Sequence, residues 1–272
     1  MKAKFFFTIL AVASMATQLF AQRIITAGSA ITETVCALGD CDKIVASDRT
    51  SLYPEHIQQL PSIGYRTGIN AEGILSLKPD LVIAEKDYVK EAVLTQLSSA
   101  GIKLVIVDRQ LNVNDTRKFI TQIAEALNKE AEGKKLIASI DADLAEAKTM
   151  LQRIATTPRV LCIYNRGTAT VSMAGKNTFA EILPYAGAVN AVTDVDDYKP
   201  LNTEALIAAN PEFILMVSTG LESLGGIEGM LNVPGVAQTT AGKKRQIVAL
   251  DSLMLTNFGP RFGKAVKELV LL

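Results

Sequence analysis

Short apolar runs alternate along this chain with longer stretches of helical periodicity. The runs Arg23–Ala27, Lys43–Ala46, Leu81–Ala84 and Lys103–Val107 are each bounded by turn residues. Between them, Ala30–Leu38, Ala71–Leu77, Val89–Ala100 and Asn114–Leu127 carry apolar positions at helical spacing. The second half repeats the pattern. Strands are expected near Arg159–Tyr164, Phe213–Val217 and Gln246–Leu250, with helices near Thr178–Ala186, Thr203–Ala209 and Pro260–Leu271. Alternation of this kind predicts an α/β fold in which each half is a parallel sheet covered by helices.

One long helical pattern separates the halves. Leu136, Ile140, Leu144, Ala147, Leu151 and Ile154 advance by three or four residues and mark one face of a helix. Thr156-Thr157-Pro158 ends it. Residues 133–156 would span roughly 36 Å. No Gly/Ser/Pro linker lies between the halves, so this helix is expected to join two lobes, residues 22–132 and 157–272, as a rigid strut.

The lobes resemble each other in sequence. Residues 71–84 and 203–216 align with Glu72 on Glu204 and Pro79 on Pro211, an offset of 132 in both cases. Upstream, Glu33 and Gly39 align with Glu181 and Gly187 at an offset of 148. Two matches in the same order indicate a duplicated unit, and a duplicated α/β lobe leaves a ligand cleft between its copies.

The first residues bear on compartment. Lys2 and Lys4 precede an apolar run from Phe5 to Ala16, and the stretch closes on Leu19-Phe20-Ala21. Residues 1–21 thus have the charged start, apolar middle and small-residue exit of a secretory signal. The run is short for a membrane span. No cysteine stands near the exit for a lipid anchor, so an exported, unanchored periplasmic protein is expected.

Composition narrows the chemistry. The chain has 28 basic and 28 acidic residues. Removing Lys2 and Lys4 with the leader leaves 26 against 28, a net charge of −2 that offers no basic field to nucleic acid. The one histidine, His56, has no Gly-x-Ser-x-Gly elbow to serve, and neither Gly-x-Gly-x-x-Gly nor a P-loop occurs. Asp194, Asp196 and Asp197 lack the glycine and terminal glutamate of a calcium loop and read as a solvated turn. Cys36 and Cys41 could bridge in an oxidising compartment or stay as buried thiols, and both readings stand open. An enzyme or an adhesion module is therefore a weaker reading than a binding protein.

Several strings point further. Arg23-Ile-Ile-Thr-Ala-Gly with Thr32-Glu33, Leu-Lys-Pro-Asp-Leu-Val at 77–82 and Asn-Pro-Glu-Phe-Ile at 210–214 resemble periplasmic substrate-binding proteins of the helical-backbone type. Those proteins serve ABC importers of haem, cobalamin and iron-siderophores. Ser51-Leu-Tyr-Pro54, Leu60-Pro-Ser-Ile-Gly-Tyr65, Asp197-Tyr-Lys-Pro-Leu201 and Asn257-Phe-Gly-Pro-Arg261 are most similar to the haem-binding branch.

The resemblance implies a haem carrier. The tyrosine after Pro-x-x-Gly, here Tyr65, would be the axial ligand of ferric haem, a role suited to a phenolate oxygen. The Gly-Pro-Arg arginine, Arg261, would support the phenolate or a propionate. The family's second arginine often stands two residues after the tyrosine. Here that position is Thr67 and the arginine is Arg66, offered as a propionate contact. No histidine is available in the second lobe, so the iron would be five-coordinate or completed by water or another tyrosine. Tyr198 and Tyr164 are candidates for the cleft wall, or plain core and rim aromatics. Glu72 and Glu204 would dock the two permease subunits, and acidic residues also suit first helical turns for dipole reasons alone. The resemblance further implies a monomer that reaches the membrane and the importer's ATPase only through the permease. A siderophore or cobalamin carrier on the same scaffold is the alternative.

Overall fold

The computed structural model describes residues 22–167 and 170–271. The leader at 1–21 lies outside the described residues. Among the described residues, no helix is long and apolar enough to cross a membrane.

The first lobe is a βα alternation. It comprises β1 (Ile24–Ala27), α1 (Ser29–Ala37), β2 (Ile44–Ser47), α2 (Ala71–Ser76), β3 (Leu81–Glu85), α3 (Glu91–Ser99), β4 (Lys103–Val107) and α4 (Val113–Leu127). The four strands pair in the order β2-β1-β3-β4, all parallel. All of β1, and Leu81–Ala84 of β3, are buried, as expected of central strands covered on both faces. α4 buries Thr116, Phe119, Ile120, Ile123, Ala124 and Leu127 on one face. Asn112 caps its start by accepting the Asp115 N–H at 2.9 Å, and left-handed Asn128 ends it.

α5 (Glu130–Leu151) follows; it begins three residues before the helix expected at 133–156 and ends five residues short of it, so Ile154 lies outside the helix. At 22 residues it is about 33 Å long. It packs on α4 of the first lobe and on the C-terminal helix α11 (Phe262–Leu271). Both contacts are close enough to require glycine. A Cβ on Gly133 would stand 2.6 Å from the Ala124 Cβ, and one on Gly263 would stand 2.7 Å from the Ile140 carbonyl oxygen.

The second lobe contains β5 (Arg159–Arg166), β6 (Thr170–Ala174), β7 (Val189–Asn190), β8 (Tyr198–Pro200), α6 (Thr203–Ala209), β9 (Phe213–Val217), α7 (Ser218–Ser223), α8 (Gly226–Leu231), α9 (Thr240–Lys244), β10 (Ile247–Leu250) and α10 (Ser252–Thr256). Its sheet runs β10-β9-β5-β6-β8, with β7 beside β5. This corrects the expectation of a wholly parallel second sheet. β10, β9, β5 and β7 are parallel, but β6 runs antiparallel to both β5 and β8. The added edge is a hairpin partner of β5, which needs no helical crossover. The expected helix at 178–186 is a 3-10 segment, Phe179–Ala186, holding Pro184, which has no N–H to continue an α-helical ladder.

The duplication extends to hydrogen bonds. Asn70 caps α2 by accepting the Gly73 N–H, and Asn202 caps α6 by accepting the N–H groups of Glu204 and Ala205. Lys78 and Asn210 both adopt left-handed backbone just before the paired prolines. The acidic residue after each proline then grips the neighbouring strand. Asp80 accepts the Arg23 N–H at 2.8 Å, and Glu212 accepts the Arg159 N–H at 3.0 Å. Each Pro-acidic turn therefore fixes the register of one central strand pair, β1 with β3 and β5 with β9.

Cys36 and Cys41 are joined by a disulfide that ties the end of α1 to the following 3-10 turn. Cys162 is free and buried in β5. His56 sits in the 3-10 turn Glu55–Gln59, with Nε2 3.2 Å from Cys41 Sγ.

Candidate functional site

The C-terminal ends of parallel strands are where an α/β sheet exposes loops and helix starts to a ligand. In the first lobe, Gly28 follows β1, Asp48 follows β2, Tyr88 follows β3 and Arg109 follows β4. In the second lobe, the segment from Asp251 to Arg261 follows β10. These two sets meet, so the lobes face each other across their strand C-terminal ends.

The meeting is polar and buried. Glu33, on α1, is 3 % exposed. It accepts Arg261 Nε at 2.6 Å, Arg261 Nη2 at 3.3 Å and Asn257 Nδ2 at 3.1 Å. Ser29 donates to Asn257 Oδ1 at 2.7 Å, and Arg109 donates to the Asn257 carbonyl at 2.6 Å. Arg109 also pairs with Glu85 at 2.9 Å, and Arg261 Nη1 with Asp251 at 3.2 Å. Burial works to lower the Arg261 pKa, but the Glu33 bond and charge, with Asp251 behind them, raise it on balance. Breaking a buried pair by removing one partner typically costs about 3–5 kcal/mol.

Arg261 is thus held between two carboxylates and an aromatic ring. Its guanidinium edges belong to Glu33 and Asp251, and its carbon stands 3.8 Å from the ring centroid of Tyr53. Tyr53 is 43 % exposed. In the sequence Glu33 stands out only as a repeat match and within the Thr32-Glu33 string, neither of which displays its clamp on Arg261. The partners are 228 residues apart, and no local pattern signals the pair.

Tyr65 lies on a loop fastened to the first sheet. Ser47 N–H bonds to the Pro61 carbonyl, Ile63 N–H to the Ser47 carbonyl and Arg49 N–H to the Gly64 carbonyl. Residues 61–64 therefore run beside the end of β2 like a short extra strand. Gly64 (φ 98°) and Arg66 (φ 40°) flank Tyr65 with left-handed backbone. The tyrosine is 37 % exposed. Its ring meets that of Tyr88 edge-on, centroids 6.2 Å apart, and the Arg66 guanidinium stands 5.8 Å from the Tyr65 centroid and 4.9 Å from that of Tyr88. The left-handed turn brings Arg66 back over its own neighbour. The cation described beside Tyr65 is Arg66.

Asp48 underlies this cluster and was not anticipated from sequence. It is buried and accepts from Gly28 N at 2.9 Å, Ser51 Oγ at 2.7 Å, Thr50 N at 2.8 Å, Thr50 Oγ1 at 2.5 Å and Tyr88 Oη at 2.5 Å. Burial, then the bond to Asp48, raises the Tyr88 pKa far above the ordinary phenol value. Tyr88 therefore donates to Asp48, while Tyr65 stands partly exposed beside it.

Tyr164 and Tyr198 form their own tilted pair on the second sheet, centroids 5.2 Å apart. Tyr198 lies on the edge strand β8, 43 % exposed, and partial burial, then the neighbouring Tyr164, pushes its pKa up to about 12. Glu72 and Glu204 occupy the exposed first turns of α2 and α6. Each helix leads directly into a parallel strand, so its start lies on the rim shared with the strand C-terminal ends.

A family model described as periplasmic binding protein matches residues 24–253. Among solved structures, the periplasmic heme-binding protein RhuT from Roseiflexus sp. RS-1, in apo form, superposes with a TM-score of 0.86 at 39 % identity, covering 92 % of this chain and 97 % of that one. The periplasmic heme-binding protein BhuT, in complex with two hemes, gives 0.85 at 37 % identity with the same coverage. The vitamin B12-binding protein of Vibrio vulnificus (strain CMCP6) is 24 % identical over 249 residues, 91 % of this chain and 88 % of that protein. The chain belongs to the periplasmic binding protein family.

Proposed function

We propose that this protein captures ferric haem in the cleft between its lobes and delivers it to an ABC importer. The observation that carries the reading is the exposed Tyr65 beside the Arg66 guanidinium, on a chain 39 % and 37 % identical to two heme-binding proteins. Ferric iron is hard and takes a phenolate, and both the iron and Arg66 favour the ionised oxygen. Tyr88 cannot fill that role because its hydroxyl is buried on Asp48. Tyr53, Tyr164 and Tyr198 supply wall or hydrogen-bond contacts for a flat apolar macrocycle. Arg261, stacked on the Tyr53 ring, supports the phenolate or a propionate.

Residues 22–132 and 157–272 act as the two lobes, with 133–156 as a strut that holds their separation. Residues 1–21 act as the export signal, which leaves the protein free in the periplasm without a lipid anchor. It acts as a monomer, by binding and not by catalysis. Glu72 and Glu204 face the two permease subunits. The B12-binding relative makes cobalamin the competing ligand.

Transport tests the delivery half of this reading. Proteoliposomes holding the cognate permease and ATPase are expected to accumulate haem only when the haem-loaded protein and ATP are both supplied. Equal accumulation from free haemin without the protein would contradict it.

A further inference from the structure

We propose that Tyr88 is a positioning residue for the ligand, holding Arg66 and Tyr65 in the geometry that grips haem. The proposal rests on the reading of Tyr65 as the iron ligand. Three observations converge on it. Tyr88 is 5 % exposed and its oxygen is fixed on Asp48, itself held by four further donors. Its ring carries the Arg66 guanidinium at 4.9 Å, closer than the 5.8 Å between that guanidinium and the Tyr65 ring. Its ring also meets that of Tyr65 at 90°, a preferred aromatic arrangement.

The backbone makes such a support necessary. Arg66 holds φ 40°, a conformation that side-chain-bearing residues adopt only at a cost. Arginine has many rotamers, and an exposed one ordinarily samples several of them. The face of Tyr88 gives this guanidinium one place to rest, as cation–π contacts do. Asp48 in turn gives Tyr88 one orientation. The chain of constraint thus runs from the β1–α1 turn at Gly28, through Asp48 and Tyr88, to Arg66 and Tyr65. Asp48 and Arg66 stand on the connection from β2 to α2 and Tyr88 on that from β3 to α3, so the pairing of the strands sets their spacing.

The test uses haem-loaded protein and two readouts: the phenolate-to-iron charge-transfer band, and the rate of haem transfer to apomyoglobin. Tyr88→Leu removes the ring and is expected to broaden and shift the band and to speed haem loss by about tenfold, the size of effect seen for supports of metal ligands. Tyr88→Phe keeps the ring and is expected to rescue most of both. Arg66→Ala should reproduce the Leu phenotype, and the double variant Arg66→Ala/Tyr88→Leu should be no worse than either single variant, because one residue acts through the other. Additive effects in the double variant, or an unshifted band with normal haem retention in Tyr88→Leu, would overturn the proposal. If Tyr88→Leu does not fold, Tyr88→Met, which also removes the ring, against Arg66→Ala/Tyr88→Met asks the same question, and additivity there overturns it. Absence of the charge-transfer band in the unmutated protein would instead refute the ligand role of Tyr65.

Discussion

Tyr65→Phe removes a single oxygen atom and is expected to abolish phenolate ligation. The ring remains, with its edge-on contact to Tyr88 and its place beside Arg66. Folding and melting temperature should hardly change, because the hydroxyl belongs to a partly exposed side chain on a loop. The haem spectrum should lose its high-spin charge-transfer band. Affinity should fall by more than ~100-fold, beyond the 10–100-fold typical of losing a supporting partner alone. Tyr65→Ala should show the same spectral loss. An unchanged spectrum in either variant would show that the iron finds another ligand, with exposed Tyr53 or Tyr198 as the next candidates.

Charge reversal at both Glu72 and Glu204 is expected to separate binding from transport. The two carboxylates stand on equivalent helix starts, each exposed and each capped by an equivalent asparagine. Their duplicated placement suits two related permease subunits, each offering a cation. Reversal to lysine sets like charges against each other, which costs several kcal/mol at an interface. Haem affinity of Glu72→Lys/Glu204→Lys should stay within about twofold of the unmutated protein, since neither residue takes part in the Tyr65 or Glu33 clusters, and a twofold change is only about 0.4 kcal/mol. ATP-driven haem uptake into proteoliposomes should be nearly lost. Normal uptake would remove the docking role, and lost haem binding would place these helix starts inside the cleft.

The architecture was legible where the signal was local or repeated. β1 and β3 are apolar throughout because both faces of a central parallel strand are covered, and such runs stand out. The match of Glu72-to-Pro79 with Glu204-to-Pro211 marked a duplication, and its capping asparagines, left-handed turns and strand-gripping acids follow the same offset closely. The antiparallel edge was not legible. Tyr198-Lys199-Pro200 is three exposed residues, too short and too polar to announce a strand, and β6 owes its place to pairing with β5.

The site divides along the same line. Tyr65 stands in a motif, and Arg66 beside it, but the direction of Arg66 depends on a left-handed backbone that sequence does not display. Tyr88 and Asp48 are 40 residues apart, and Glu33 and Arg261 are 228 apart. Such pairs are set by which loops the sheet brings together. Arg261 reads as a ligand-side cation through its Gly-Pro-Arg motif, and no local pattern displays the distant Glu33 that clamps it.

The central claim is that ferric haem is the ligand, and one titration tests it most directly. Haemin, cyanocobalamin and a ferric siderophore should be added in turn to the purified apoprotein and followed by absorption. The account predicts a saturable Soret band with haemin, accompanied by the phenolate charge-transfer band, and no displacement by the other two ligands. Saturable binding of cobalamin or the siderophore that displaces haemin, or haemin absorbance that rises without saturating, would contradict it.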